Sequence, residues 1–203
     1  MIYAVAEDGT KIRPSYSGQR AKCPGCDGDV VARCGRIVID HWAHLSGVEC
    51  DSWSESMSLW HLNWQVYLIG QGADVEAKIE KDGKMHKADA RMKSGLIVEL
   101  QHSHLSVEEI EERESFYEKM VWVFDARRAF SRKRLDLRPG DNRYTFRWKH
   151  PRKSIAFAKC PVRLDLGGGK IFQLKKMYPD PPCGGYGKLV EIPELAFECY
   201  DDA

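Results

Sequence analysis

The sequence predicts an α+β fold with a mixed sheet, in the order helix, three strands, helix, strand between residues 54 and 125. Three observations predict it. Apolar and polar residues alternate in two runs joined by a turn at Ser94-Gly95, which is typical of antiparallel strands. Apolar residues recur at helical spacing from Ser54 to about Gln71, and Ser106 opens a second helix with a capping box. A strand–helix–strand return to a last strand favours parallel pairing.

Composition and charge are those of an ordinary globular protein, long enough for one medium domain and a small appendage. Lys and Arg number 31 and Asp and Glu 30, so the net charge of +1 neither indicates nor excludes a nucleic-acid partner. No apolar run approaches membrane-spanning length, and the amino-terminal residues lack the features of a signal peptide. Seven cysteines, including a CxxC pair, suit metal ligation in a reducing compartment better than disulfides. We therefore expect a cytoplasmic protein without a membrane partner, of unspecified oligomeric state.

The first part of the chain contains residues of the types that bind zinc. It follows a predicted β-hairpin that turns at Asp8-Gly9. Two thiols separated by a tight turn, in Cys23-Pro-Gly-Cys26, form half of a zinc knuckle, and the other half has to come from later histidines and a cysteine. Cys34 is not expected to be a ligand. We predict four zinc ligands, with His41 as the rival for the last place: Cys23, Cys26, His44 and Cys50. The alternative is that the thiols are free and the histidines pack against Trp42.

The first predicted helix begins at Ser54, which is a plausible N-cap, and ends before Gly72. Its predicted apolar stripe consists of Leu59, Leu62, Val66 and Ile69. Glu55 lies in the first turn, where an acid suits the helix dipole, although it could equally reach toward a metal site. His61 is either a core residue or a site residue.

The central feature is the pair of strands predicted at 84–92 and 96–101. Because side chains alternate between faces, Leu100 is expected in the core, while Glu99 and Gln101 lie on the opposite face with Asp89 from the neighbouring strand. Acids from two strands, directed into one cleft, can hold a divalent cation that activates water and steadies a phosphodiester. The alternative is that both acids are solvated on the wet face of the sheet. The pair alone favours the alternative, and the flanking chain favours the cleft.

Several motifs occur in the order found in a known family. They are CPGC…DHWAH, ESMSLWHLNW, HKADA, VELQHSHLS, EERESFY and MVWVFDA, and they span Cys23 to Ala126. In these motifs the chain resembles the competence protein CoiA-like family and, more widely, the PD-(D/E)XK nuclease superfamily. The resemblance implies a restriction-endonuclease-like αβββαβ core with an N-terminal zinc-binding module. The domains expected are a hairpin and zinc module at 1–53, the nuclease-like core at 54–128 and a basic, β-rich extension at 129–203.

The resemblance also implies roles for individual residues. Asp89 and Glu99 match the metal-binding acids, which with the carbonyl of Leu100 would hold Mg²⁺ or Mn²⁺. Gln101 occupies the position of a lysine in many superfamily members and offers only hydrogen bonds to the water or phosphate. Lys87 is the candidate for the missing positive charge.

Three further positions belong to this expected site. Glu55 matches an acid that the first helix sometimes contributes in the superfamily. His102 and Ser103 follow the third strand and are expected to contact the substrate backbone. The alternative for these two residues is a capped loop.

Beyond Ala126 the chain is strongly basic, with aromatic residues among the cations. Lysine and arginine can neutralise phosphates, and aromatic faces can stack on unpaired bases. The alternative is an amphipathic strand whose basic residues are solvated. The nucleic-acid-binding candidates in this stretch are Arg143, Arg147, Trp148 and Lys149.

Taken with the resemblance, the sequence predicts a Mg²⁺-dependent nuclease with a structural zinc site. It would hydrolyse phosphodiester bonds in single- or double-stranded DNA during processing or recombination, with recombination proteins as further partners. The alternative is a catalytically silent nucleic-acid-binding module that keeps the nuclease scaffold. RNA as the substrate is a third interpretation. The sequence indicates neither strand preference nor pathway.

Overall fold

The computed structural model describes residues 1–36, 39–47, 50–53 and 58–192. The chain divides into two compact units, Met1–Arg91 and Met92–Ala203. Both units consist mostly of strands with few helices, which confirms the predicted α+β class. Within the described ranges, no helix is both long enough and apolar enough to span a membrane.

The first unit begins with a small antiparallel sheet whose strand order is β2-β1-β3-β4-β5. Its strands are β1 (Ala4–Val5), β2 (Lys11–Ile12), β3 (Arg20–Lys22), β4 (Asp29–Arg33) and β5 (His41–His44). The predicted hairpin at Asp8-Gly9 joins β1 to β2, with Gly9 at φ 84°, where a side chain would be strained. Among the described residues, the buried core of this sheet has five members, centred on Trp42. So small a core stabilises the sheet weakly.

Helix α1 (Leu59–Gly70) and the hairpin of β6 (Asp74–Lys81) and β7 (Lys84–Arg91) complete the first unit. The dipeptide Asp82-Gly83, which is typical of hairpin turns, joins these two strands, and they pair antiparallel. The N-cap of the described helix is Ser58, whose hydroxyl accepts a hydrogen bond from the backbone N–H of His61 at 3.2 Å. The predicted N-cap Ser54 and the candidate Glu55 lie outside the described residues.

The apolar stripe predicted for α1 is wrong at three of its four positions. Leu59, Val66 and Ile69 are exposed, whereas Leu62 is buried as predicted. The buried face consists of Trp60, His61, Leu62, Trp64, Gln65 and Leu68. The two tryptophans carry the largest apolar area in the helix, so they occupy the inner face. Two polar residues, His61 and Gln65, also lie on that face, so the spacing of apolar residues in the sequence did not predict it.

The second unit contains a mixed sheet with the strand order β10-β11-β14-β13-β12-β9-β8. The strands are β8 (Ile97–Gln101), β9 (Met120–Asp125), β10 (Leu135–Pro139), β11 (Tyr144–Trp148), β12 (Val162–Gly167), β13 (Lys170–Tyr178) and β14 (Gly184–Glu191). Strand β9 pairs in parallel with both β8 and β12, and the remaining pairs are antiparallel. The mixed sheet and the parallel return to β9 are therefore confirmed.

Helix α2 (Val107–Tyr117) connects β8 to β9. The predicted capping box is present: the Ser106 hydroxyl accepts from the N–H of Glu109 at 3.1 Å, and the Glu109 carboxylate accepts from the N–H of Ser106 at 2.7 Å. Strand β8 is buried along its whole length. The wet face predicted as an alternative for this strand is therefore wrong, because the residues of both its faces are buried.

Candidate metal centre and acidic residues

Four side chains of the first unit form a cluster of metal-ligating type. One ligand atom each from Cys23, Cys26, His44 and Cys50 lies within 4.8 Å of the other three. The Sγ atoms of Cys23 and Cys50 are 3.7 Å apart, and Cys26 Sγ is 3.5 Å from His44 Nε2. A tetrahedral zinc site with Zn–S bonds of about 2.3 Å has S···S edges of about 3.8 Å. The cluster therefore has the donor set and the spacing to hold a metal such as zinc, and its members are the four predicted ligands.

A tight turn between β3 and β4 presents the first two thiols. The N–H of Cys23 donates to the carbonyl of Gly28 at 2.8 Å, and the N–H of Asp27 donates to the carbonyl of Cys23 at 3.0 Å. The N–H of Gly25 points at Cys23 Sγ, 3.4 Å away. These backbone contacts fix the position of the Cys23 sulfur next to Cys26.

The rival ligand His41 is not part of the cluster. It lies at the opposite end of β5 from His44, and its Nδ1 is 2.8 Å from the carbonyl oxygen of Ile39. Cys34 is also outside the cluster and packs against the small core around Trp42. The two histidines lie at opposite ends of the same short strand, and His44 is the one that lies close to the three thiols.

The segment that follows Cys50 is bonded to strand β7. The buried carboxylate of Asp51 lies 2.9 Å from His86 Nδ1 and accepts a hydrogen bond from the N–H of Lys87 at 2.7 Å. The ring of Trp53 stacks on His86 with centroids 3.3 Å apart. The residues just after Cys50 are thus bonded to strand β7, which also carries Asp89.

Lys87 has a partner that the sequence did not predict. Burial alone would lower the pKa of its ammonium group, but the negative charge that Cys23 and Cys50 carry when deprotonated raises that pKa, so the group is charged. Its stem lies against Gly25, where an added Cβ would be 3.2 Å from Lys87 Cδ. If the cluster held a zinc ion, its three thiolates would outweigh the two charges of the ion, and Lys87 would offset the excess. The role predicted for Lys87 beside a phosphate stays a prediction.

Asp89 is held by the polar residues on the inner face of α1. His61 Nε2 lies 2.7 Å from Asp89 Oδ1, and the Asp89 side chain is 21% exposed. The amide of Gln65 donates to the backbone carbonyl of Asp89 at 3.4 Å. The sequence left His61 as a core or a site residue, and the structure places it beside the predicted acid.

Glu99 is a buried carboxylate with one basic partner. It is 3% exposed, and its Oε2 lies 3.2 Å from Nη1 of the buried Arg113 on α2. Arg113 shares the buried face of α2 with Ile110 and Tyr117 at helical spacing. The neighbouring Gln101 is also buried, and its amide donates to the hydroxyl of Ser103 at 3.0 Å.

The buried pair of Glu99 and Arg113 is expected to matter for stability. Arg113→Ala leaves the Glu99 carboxylate buried without its cation, which costs about 3–5 kcal/mol. We expect the free energy of unfolding, measured by urea denaturation, to fall by that amount. Arg138→Ala is the matched control, because its pair with Asp136 is exposed and worth less than about 1 kcal/mol. Equal losses in the two variants would contradict the assignment.

The loop after β8 is tied to the end of β9. His102 is exposed, and its Nδ1 lies 2.8 Å from Asp125 Oδ2. Asp125 also accepts hydrogen bonds from Nε and Nη2 of Arg127 at 2.9 and 2.8 Å. Arg152 donates to the backbone carbonyls of residues 101–103. The sequence reasoning missed both arginines, since neither carries a motif.

Asp125 is expected to contribute stability that is lost in acid. Burial alone would raise the pKa of this carboxyl, but hydrogen bonds from Arg127 and His102 lower it below the ordinary value of 3.8. A depressed folded pKa stabilises the protein above the ordinary value, and this contribution is lost as the pH falls below it. Asp125→Asn should therefore flatten the pH dependence of the free energy of unfolding between about pH 4 and pH 2. Urea denaturation across that range measures it, and an unchanged slope would refute the expectation.

The basic stretch of the second unit presents cations but not the predicted tryptophan. Trp148 is 5% exposed, so its ring belongs to the core and is not available to stack on a base. Strand alternation in β11 causes this, because it directs Phe146 and Trp148 inward and leaves Arg147 exposed. Arg143 lies over the ring of Tyr186 with 4.5 Å to its centroid, and Lys149 is exposed.

Comparison with known proteins agrees with the N-terminal site. Residues 11–52 match the family model of the competence protein CoiA, N-terminal domain. Over these residues the chain is CoiA-like. The matched range contains all four residues of the Cys/His cluster, so the CoiA-like resemblance is confirmed for the part of the chain that carries this cluster. No curated protein and no solved structure matches the chain.

Proposed function

We propose that this CoiA-like chain is a divalent-metal-dependent nuclease that hydrolyses phosphodiester bonds in DNA. The observation that carries the proposal is the burial of Glu99, which is 3% exposed on the parallel strand β8. A buried carboxylate is costly, so a chain without a use for it has reason to lose it. The element order α1, β6, β7, β8, α2, β9 supports the proposal, because it is the order expected for the PD-(D/E)XK core.

In this proposal the carboxylate oxygens of Asp89 and Glu99 would hold a hard divalent cation, with the Leu100 carbonyl as a further donor. His61 contacts one oxygen of Asp89, and Arg113 contacts one oxygen of Glu99. Each of these contacts orients a carboxylate. When bound, Mg²⁺ or Mn²⁺ would activate water and offset charge on the phosphate. Gln101 would orient the water or the phosphate by hydrogen bonding.

In this proposal the Cys/His cluster holds a structural zinc ion. Its role is to stabilise a small sheet whose own core is weak and to hold strand β7 through Asp51 and Trp53. The zinc ion would therefore take no part in hydrolysis. It would maintain the position of the strand that carries Asp89.

A second function is a catalytically silent nucleic-acid-binding module that retains the nuclease scaffold. Two contacts favour it: the pairing of Glu99 with Arg113, and the hydrogen bond from the Gln101 amide to Ser103. These contacts give both side chains a purely structural use. The exposed Arg143 and Arg147 would then bind DNA, with recombination proteins as further partners.

Cleavage of labelled single- and double-stranded DNA by the purified protein separates the two functions. We expect cutting with Mg²⁺ or Mn²⁺ and none when no divalent cation is added. Binding of DNA without cutting under all conditions would contradict the nuclease and support the silent module. A parallel RNA substrate tests whether the sugar matters, since no motif of this chain reads a 2′-hydroxyl.

A further inference from the structure

The second unit contains a cavity of about 370 Å³ beside the 3-10 helix Lys153–Phe157. Its walls come from residues 155–156, 158–163 and 173–177. The lining is basic, with no acidic residue among the described residues that form it: the cations are Lys159, Arg163, Lys175 and Lys176. Apolar side chains, including Ile155, Val162 and Leu174, complete the walls. The volume is at the lower end of the range for small-molecule sites.

A β-bulge accounts for two adjacent lysines in one cavity. Consecutive residues of a regular strand point to opposite faces, so Lys175 and Lys176 would normally diverge. The pairing of β13 with β14 shifts register between Leu174 and Lys176. A bulge of this kind re-aims a side chain, and here both lysines line the cavity.

The glycines of the Gly-Gly-Tyr-Gly run in β14 make this bulge possible. A Cβ added at Gly185 would overlap the carbonyl oxygen of Lys176, and one added at Gly187 would overlap that of Gln173. Only glycine therefore lets β14 approach the bulged part of β13. A motif without an assigned role in the sequence thus shapes the wall of the cavity.

The opposite wall is held by a buried acid on α2. The Glu114 carboxylate accepts hydrogen bonds from the N–H groups of Lys159 and Cys160, at 3.0 and 2.9 Å, and from the indole of Trp122 at 3.0 Å. The ammonium of Lys159 lies 3.4 Å from Glu111, an exposed acid that offsets part of its charge. The described residues of the lining therefore include four cations and no acid, while Glu111 is not part of the lining.

We propose that this cavity binds the terminal phosphomonoester of one nucleotide. A phosphomonoester carries close to two negative charges near neutral pH, whereas an internal phosphodiester carries one, so a group of cations favours the terminal group. The volume admits about one nucleotide, and the apolar walls suit its sugar and base. The nucleotide is either a free mononucleotide or the phosphorylated end of a DNA strand. The proposal goes beyond the nuclease function and does not depend on it.

Titration calorimetry in buffer without added divalent cations tests the proposal, because no cleavage is needed. The probes are thymidine 5′-monophosphate, thymidine and inorganic phosphate. We expect the nucleotide to bind at least about tenfold more tightly than thymidine or phosphate alone. Equal binding of nucleotide and nucleoside would overturn the phosphate site, and equal binding of nucleotide and phosphate would overturn the nucleotide.

Variants locate the binding and short oligonucleotides identify the source. Lys175→Gln and Lys176→Gln alter exposed side chains and should fold normally, and each should weaken nucleotide binding about tenfold. Lys170→Gln is the matched control on the same strand outside the cavity and should have no effect. Unchanged binding in both cavity variants would overturn the site.

Short oligonucleotides identify the source of the phosphate. If a 5′-phosphorylated oligonucleotide binds more tightly than both the mononucleotide and the same oligonucleotide with a 5′-hydroxyl, the ligand is the end of a DNA strand. If the mononucleotide binds more tightly than the 5′-phosphorylated oligonucleotide, the ligand is a free nucleotide.

Discussion

Cys23→Ser is expected to abolish metal binding and to unfold the N-terminal module. Cys23 is fully buried, and serine neither supplies a thiolate nor satisfies its hydroxyl in that position. In small modules, structural zinc contributes apparent binding free energies of about 10–16 kcal/mol, far more than the small core around Trp42 can replace. Metal content per chain by mass spectrometry and thermal unfolding by circular dichroism measure the two effects.

Controls for this variant come from the same sheet. Cys34→Ser and His41→Ala remove residues of the ligand types that lie outside the cluster, so both variants should keep the full metal content. His44→Ala should lose the metal as Cys23→Ser does. Loss of metal in His41→Ala but not in His44→Ala would show that the ligand set is different.

Asp89→Asn is expected to reduce DNA cleavage by about a thousandfold while leaving the fold intact. Asparagine keeps the shape of the side chain and the neighbouring His61, but it removes the charge that a hard cation needs. Loss of several kcal/mol of transition-state stabilisation corresponds to this factor. Initial cleavage rates with Mg²⁺ and with Mn²⁺, together with metal content and melting temperature, measure the effect.

Glu99→Gln should give the same loss, but it also disrupts a buried ion pair with Arg113. Its cleavage rate therefore has to be compared with the stability of the variant. Glu80→Gln on β6 is the neutral control, because that acid is exposed and its partner Lys78 is close in sequence. If Asp89→Asn cuts DNA as fast as the wild type, the proposed site is excluded. If neither protein cuts but both bind DNA equally, the silent module is the better function.

The proposed nuclease and the nucleotide cavity can fail independently. The cavity variants change only residues of the second unit away from Asp89 and Glu99, and their readout is binding of a small molecule. If the protein cuts DNA but does not bind mononucleotides, the nuclease proposal stands and the cavity proposal fails. If it binds mononucleotides but does not cut DNA, the cavity proposal stands and the nuclease proposal fails.

Local features of this protein followed from the sequence by itself. The turns at Asp8-Gly9 and Asp82-Gly83 and the capping box of Ser106 and Glu109 depend on residues within a few positions of one another. The Cys/His cluster could be predicted for the same reason, because its ligands lie on neighbouring turns and short strands within about thirty residues of chain. The parallel return to β9 followed from the general handedness and packing of strand–helix–strand units.

Which face of an element is covered was decided only by the tertiary structure. The inner face of α1 carries His61 and Gln65, which contact Asp89 on strand β7. Strand β7 follows α1 only after strand β6, so local periodicity in the helix could not predict these contacts. Strand β8 is buried on both faces, and there Glu99 contacts Arg113. In β11 the face that carries Trp148 is the buried one, although the alternation of side chains by itself does not determine which of the two faces is exposed to solvent. Periodicity determines which residues share a face, whereas burial depends on what packs against that face.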